Sequence, residues 1–172
     1  EDGALFIALR AAGALGALSC VHAENGPVIQ SLVQAALAQG QTAPRHHALT
    51  RPALLEGEAA QRAIDLAELA QAPLYVVHLS TAQALQAVQR ARQRGLPVHA
   101  ETCPQYLLLD DSVYAGEGFE GAKYVMSPPI RHASHGVALW RGLQAGDIQT
   151  VATDHCAFTY GEQPHGLRHS KR

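Results

Sequence analysis

Short apolar segments alternate with helical segments along most of this 172-residue chain, and the apolar segments run into polar, chemistry-bearing residues. Strands are predicted over residues 17–24, 73–80, 96–104 and 147–155. Apolar residues at helical spacing predict helices over residues 3–16, 28–40, 52–71, 80–95 and 135–146, with loops over 41–52 and 110–133. Ser80 is the predicted N-cap of its helix. Strands that alternate with helices are typical of a parallel sheet in an α/β protein.

Three of the predicted strands end in residues that bind divalent metals: His22, His78 and Asp154. Parallel α/β proteins place their active sites at the C-terminal ends of strands, and imidazole and carboxylate are ligands for zinc and similar ions. One such histidine is more often a packed, hydrogen-bonded side chain, but three equivalent positions favour a metal site. His99 and Glu101 alternate along one strand, so we expect them to line the same mouth or to orient the ligands.

Composition excludes several function classes. The net charge of -2 favours neither nucleic acid nor an anionic membrane as a partner, and no run of 18 apolar residues predicts a transmembrane segment. Cys20, Cys103 and Cys156 are odd in number and form no CxxC motif, so we expect three reduced thiols, inert packing roles and a cytoplasmic location. No GxGxxG follows a predicted strand, which argues against a dinucleotide-binding domain.

Seven segments, in order, resemble motifs of the dihydropyrimidinase and D-hydantoinase branch of the amidohydrolase superfamily. They are VHAENG (21–26), HALTRP (47–52), EGEAAQRAI (56–64), YVVHLS (75–80), HAETCPQYLLLD (99–110), KYVMSPPIR (123–131) and VATDHCAF (151–158). The resemblance implies a (β/α)8 TIM barrel with a binuclear divalent metal centre, usually two zinc ions. It implies that residues 1–160 form the C-terminal half of that barrel, strands five to eight. Residues 161–172 are polar and lack periodicity, so we expect them to be a disordered tail.

The resemblance also implies roles for single residues. His22 and His78 would ligate one metal, and Asp154 would ligate the other while it exchanges a proton with the attacking water and the leaving nitrogen. Ser127 would hold the substrate ring through its backbone. The implied reaction is the hydrolytic opening of a cyclic amide, for which two metals polarise the carbonyl and acidify a shared water. Family members are commonly tetramers, so the implied partners are the small cyclic substrate and further copies of the chain.

Parts of the family's site are missing from this sequence. The family's His-x-His pair on the first strand and its upstream tyrosine are absent. Its bridging carbamylated lysine is absent too, because the two lysines of this sequence, Lys123 and Lys171, both follow His22. Ala157 stands where the family usually has proline. We therefore expect the chain to be part of a longer hydrolase and to be inactive alone. Arg51, Glu56 and Glu58 are expected to be structural residues at a helix start.

Three alternatives remain open. A non-catalytic dihydropyrimidinase relative would act through oligomer contacts, although the intact His22, His78 and Asp154 argue against it. An allantoinase or dihydroorotase uses the same chemistry, but HAETCPQYLLLD and MSPPIR favour the dihydropyrimidinase side. The third alternative is a non-functional fragment of a gene.

Overall fold

The computed structural model describes residues 2–116 and 118–156. Its four strands are β1 (Ser19–Val21), β2 (Leu74–Val76), β3 (Val98–Thr102) and β4 (Thr150–Val151). They form one sheet in the order β1-β2-β3-β4, and every neighbouring pair is parallel. Ser19 lies opposite Leu74, which lies opposite Val98, so the first three strands begin at one level. The predicted parallel α/β arrangement is confirmed.

Seven α-helices connect or flank these strands in the described residues. They are α1 (Asp2–Ala14), α2 (Gly26–Ala38), α3 (Arg45–Leu49), α4 (Ala53–Ala70), α5 (Ala82–Gln93), α6 (Pro104–Leu108) and α7 (Ala133–Gln144). Two 3-10 helices, Asp111–Tyr114 and Glu120–Tyr124, lie in the long segment between α6 and α7. This segment and the one that contains α3 were predicted as loops, so the short helices in them are a correction.

The N-cap of α5 is Thr81, and the prediction of Ser80 was wrong by one residue. The hydroxyl of Thr81 accepts from the backbone N–H of Ala84 at 3.2 Å. The hydroxyl of Ser80 instead donates to the Glu56 carboxylate and accepts from Nε of Arg131. Helix α2 is capped by Asn25, whose side chain accepts from the N–H of Val28.

The core lies between the sheet and the layer of α4 and α5. Leu74, Val76 and Ala100 are fully buried on the helix side of β2 and β3. The alternate residues, such as Tyr75, are only partly buried on the opposite face. Helices α4 and α5 approach closely, since a Cβ added to Gly57 would lie 2.5 Å from the Cβ of Gln83. No helix in the described ranges combines the length and apolar character needed to cross a membrane.

The strands are shorter than predicted at their C-terminal ends. His78 and Asp154 adopt positive φ angles of 40° and 46°, a backbone conformation that a β-ladder cannot contain. The apolar runs therefore leave the sheet just before the residues with candidate chemistry. Backbone conformations of this kind in non-glycine residues cluster at functional sites. The predicted tail, residues 161–172, lies outside the described residues.

Candidate metal site

The imidazoles of His22 and His78 meet at the ends of β1 and β2. Nδ1 of His22 lies 2.9 Å from Nε2 of His78, and the ring planes are inclined by 69°. His22 follows the last residue of β1, and His78 comes two residues after the end of β2. Because these strands are neighbouring and parallel, their C-terminal ends bring both histidines to one place.

Glu24 orients the His22 ring. Its Oε2 accepts from Nε2 of His22 at 3.1 Å, which places the ring proton of His22 on Nε2. Nδ1 of His78 is buried and has no hydrogen-bond partner among the described residues. A carboxylate that holds the distal nitrogen of a ligating imidazole is a common feature of metal sites.

The pKa values of the two imidazoles are shifted in opposite directions. The hydrogen bond from Glu24 raises the pKa of His22, although burial opposes it. Burial lowers the pKa of His78, and the charge of His22 lowers it further. Burial alone would raise the pKa of Glu24, but the hydrogen bond to His22 and the nearby Arg131 hold it below its usual value. His78 is therefore the neutral imidazole, the form that binds metals.

Asp154 is not part of the same contact cluster. Its side chain is exposed after β4. Its negative charge favours the protonated form of both imidazoles, although burial still holds the pKa of His78 below its ordinary value. Across residues 2–116 and 118–156, no group of three His, Cys, Asp or Glu side chains is arranged to hold a metal ion. The structure thus shows a pair of imidazoles and a separate carboxylate.

The imidazole pair fits one divalent metal. Two nitrogens that ligate zinc tetrahedrally at about 2.0–2.1 Å lie about 3.3 Å apart. Nδ1 of His22 and Nε2 of His78 are 2.9 Å apart, so a small ring displacement would make the pair two of four ligands. The remaining ligands of such a site would have to come from other groups.

Residues 126–131, here called the Ser127 loop, are fixed by side chains from other elements. Nε2–H of His47 donates to the carbonyl of Met126 at 2.7 Å, and the hydroxyl of Tyr106 donates to the carbonyl of Pro128 at 2.7 Å. Ser127 itself is exposed. Among the described residues, neither its backbone N–H nor its carbonyl has a hydrogen-bond partner, so both can face a ligand.

Known proteins that resemble the chain are hydantoin- and dihydropyrimidine-cleaving enzymes by name. The D-hydantoinase of Streptomyces coelicolor is 53% identical over 163 residues, which is 95% of this chain and 35% of that protein. The D-phenylhydantoinase of Escherichia coli is 46% identical over 164 residues, with the same coverage. The crystal structure of a dihydropyrimidinase from Brevibacillus agri matches with a TM-score of 0.96 at 49% identity, covering 99% of this chain and 37% of that one.

The chain is homologous to D-hydantoinases and dihydropyrimidinases over 95% of its length. It spans about a third of the length of the curated relatives that it matches. No protein-family profile matches it. The sequence resemblance to this family and the hydantoinase fold type are confirmed, while the particular barrel strands that the chain contains stay a prediction.

Beside the imidazole pair, Glu101 supports the backbone at His78. Its Oε1 accepts from the N–H of His78 at 3.4 Å, and its Oε2 accepts from the hydroxyl of Tyr75 at 2.8 Å. Of the two expectations for Glu101, the geometry favours the one in which it orients a ligand. Its position two residues after His99 on a strand was the signal in the sequence.

Several residues at the candidate site were missed, or their partners were not foreseen, from the sequence. Glu24 and His47 were not singled out, although both lie inside the quoted motifs. Glu56 was expected to complement a helix dipole, but its side chain is buried and bound to Ser80 and Arg131. Helix position alone gave no sign of these partners.

The three cysteines are free thiols in this structure, as expected. Burial raises the pKa of Cys103 to about 12, so its thiol is protonated and unreactive at neutral pH. Cys20 and Cys156 are exposed, so the buried packing role expected for Cys156 was wrong.

Proposed function

We propose that this chain supplies the second half of a metal-dependent (β/α)8 barrel, strands five to eight, in an enzyme that hydrolyses cyclic amides. The His22–His78 pair carries the proposal, because it lies at the ends of adjacent parallel strands in a segment 53% identical to D-hydantoinases. Dihydropyrimidines and hydantoins are the proposed substrates, in line with the names of the relatives.

His22 and His78 would hold one divalent metal, and Asp154 would help to hold a second, with zinc as the proposed ion. When bound, such a pair of ions polarises the amide carbonyl and lowers the pKa of water. Glu24 keeps the His22 ring oriented, and Glu101 keeps the backbone of His78 in place.

Asp154 is the proposed proton carrier. Its exposed carboxylate would accept a proton from the attacking water and return it to the ring nitrogen as the C–N bond breaks. The products are a free carboxylate and an amine or ureido nitrogen. The exchange requires a group that is accessible to the substrate, which Asp154 is and the buried Glu56 is not.

Ser127 would bind the ring. A cyclic amide presents an N–H donor next to a C=O acceptor. The carbonyl and N–H of Ser127, which have no partner among residues 2–116 and 118–156, complement them. A homo-oligomer and a cytoplasmic location complete the proposal, and the three free thiols support the second of these.

The test uses the full-length protein that carries this chain, supplied with Zn²⁺ and assayed for ring opening of dihydrouracil and hydantoin. Asp154→Asn should lower kcat by about 10²-fold or more, because a positioned general acid-base group contributes about 10²- to 10⁴-fold. KM should change little, since the carboxylate acts mainly in the transition state.

Asp147→Asn is the matched control. Asp147 precedes the same strand but binds Gln89 at 2.7 Å, so its loss should leave kcat within about twofold. A near-normal kcat in Asp154→Asn would show that another group transfers the proton. Equal activity after removal of all metal by a chelator would contradict the metal-dependent reaction.

A further inference from the structure

A buried ion pair connects the Ser127 loop to the interior of the chain. Arg131, the last residue of the loop, is only 8% exposed, and Glu56 is 2% exposed. Nη2 of Arg131 lies 3.0 Å from Oε2 of Glu56, and Nε of Arg131 donates to the hydroxyl of Ser80 at 3.1 Å. A third donor of the guanidinium binds the backbone carbonyl of Arg51.

The Arg131–Glu56 pair also contacts residues that follow β1 and β2, close to His22 and His78. Ser80, two residues after His78, donates its N–H to Oε1 of Glu56 at 2.7 Å and its hydroxyl to the other carboxylate oxygen. Nη2 of Arg131 lies 4.0 Å from Oε1 of Glu24, whose second oxygen holds the His22 ring. One guanidinium therefore links the loop to the segments that follow β1 and β2.

The chemistry of the guanidinium suits it to this connection. Arginine offers five donors in a rigid plane, so it can bind acceptors on several segments at fixed relative positions, whereas a lysine ammonium is a mobile point charge. A buried ion pair is weak evidence for stability, because the desolvation of two charges offsets their attraction. Apolar side chains would fill the space of Arg131 and Glu56 without defining where the loop lies.

We propose that Arg131 is a positioning residue that sets the distance between the Ser127 backbone and the His22–His78 pair, with Glu56 as its buried counter-ion. The consequence for catalysis rests on the proposed function, in which Ser127 holds the ring beside the metal. The mechanical connection itself does not depend on that function. Arg131 touches none of the reacting atoms in this proposal and acts through the loop.

The experiment compares a neutral pair with a matched surface pair. In Arg131→Met/Glu56→Gln, glutamine can still accept from the Ser80 N–H, but the link from the loop is lost. Arg62→Met/Glu58→Gln is the control, because Arg62 and Glu58 form an ion pair at 3.0 Å on the exposed face of α4. Arg131→Lys keeps the buried positive charge and removes only the planar set of guanidinium donors. It replaces the neutral double variant in the experiment if that variant does not fold.

The first readout is amide hydrogen exchange in the 172-residue chain without substrate. Exchange of the Ile130 and Ser80 amides, which donate to Tyr114 and Glu56, should rise at least tenfold in Arg131→Met/Glu56→Gln and in Arg131→Lys. Amides in the middle of α5 should change less than threefold. The surface-pair control should match the unsubstituted chain at all these positions.

The second readout is steady-state kinetics of the full-length protein on dihydrouracil, well below the unfolding temperature of each variant. A displaced Ser127 should raise KM about tenfold while kcat changes less than threefold. A purely structural pair would lower the unfolding temperature and leave KM unaltered in the folded protein.

Unchanged loop exchange in the folded variants would overturn the proposal, and so would faster exchange with an unchanged KM. If the unsubstituted full-length protein opens neither ring, the proposed function fails. The exchange measurement alone then decides whether Arg131 positions the loop.

Discussion

Acid should destabilise the chain through His47, which supports the Ser127 loop. Nε2–H of His47 donates to the carbonyl of Met126 at 2.7 Å. Burial, followed by the positive charge of Arg51, lowers the pKa of His47 from 6.5 to about 4. The unfolded chain therefore takes up a proton at a pH where the folded chain does not. The contribution of His47 to stability is complete above about pH 6.5 and is lost as the pH falls towards 4.

The size of this effect follows from the two pKa values. At about 1.4 kcal/mol per pKa unit, a fall from 6.5 to about 4 corresponds to about 3 kcal/mol when the loss is complete. Between pH 7 and pH 5 the loss is about 2 kcal/mol, because the folded imidazole is still mostly neutral at pH 5. For a small domain this is a large part of the free energy of unfolding.

The assay is urea unfolding of the chain at pH 7 and pH 5, followed by circular dichroism. His47→Gln keeps a donor for the Met126 carbonyl but does not titrate, so its loss of stability between the two pH values should be smaller by about 2 kcal/mol. His46→Gln removes the adjacent imidazole, which does not bind Met126, and is the control. Identical losses in His47→Gln and the unsubstituted chain would refute the reasoning.

Three further outcomes are expected. Gly57→Ala should lower the free energy of unfolding by about 1–3 kcal/mol, since its Cβ would lie 2.5 Å from that of Gln83; Gly3→Ala, with nothing within 4 Å, is the control, and equal stabilities would contradict the close helix approach. Thiol titration of the denatured, unreduced chain should count three, and a count of one would reveal a disulfide. The chain alone should open neither dihydrouracil nor hydantoin with added Zn²⁺, Mn²⁺ or Co²⁺, because two imidazoles do not complete a catalytic metal site; metal-dependent activity that His78→Ala removes would contradict this.

Hydrophobic patterning was enough to predict the sheet but not the ends of its strands. The run that contains β2 was predicted over residues 73–80, whereas the ladder covers only Leu74–Val76. The apolar run includes Leu79, which is buried, so the hydrophobic pattern does not indicate where the backbone turns out of the sheet. The turn occurs at His78, where φ is positive and the N–H groups of His78 and Leu79 both donate to Glu101.

The candidate site likewise contains residues that local sequence patterns predict and residues whose partners lie far away in the sequence. His22 and His78 were predicted because each follows an apolar run, and the parallel order then brings them together. The role of Glu56 could not be predicted, since its partners Ser80 and Arg131 are 24 and 75 residues away in sequence. A glutamate in the first turn of a helix satisfies the helix dipole, so the local pattern offered a sufficient explanation and gave no sign of the buried partners.

Four side chains of this chain support the candidate site. His22 is held by Glu24, the backbone of His78 by Glu101, and the Ser127 loop by His47 and Arg131. Supporting residues fix ring orientation and loop position before a metal or substrate binds. Under the proposed function, further metal ligands would therefore meet two imidazoles that already face each other and a loop already in place. Metal binding would then require separation of the His22–His78 contact rather than folding of the site.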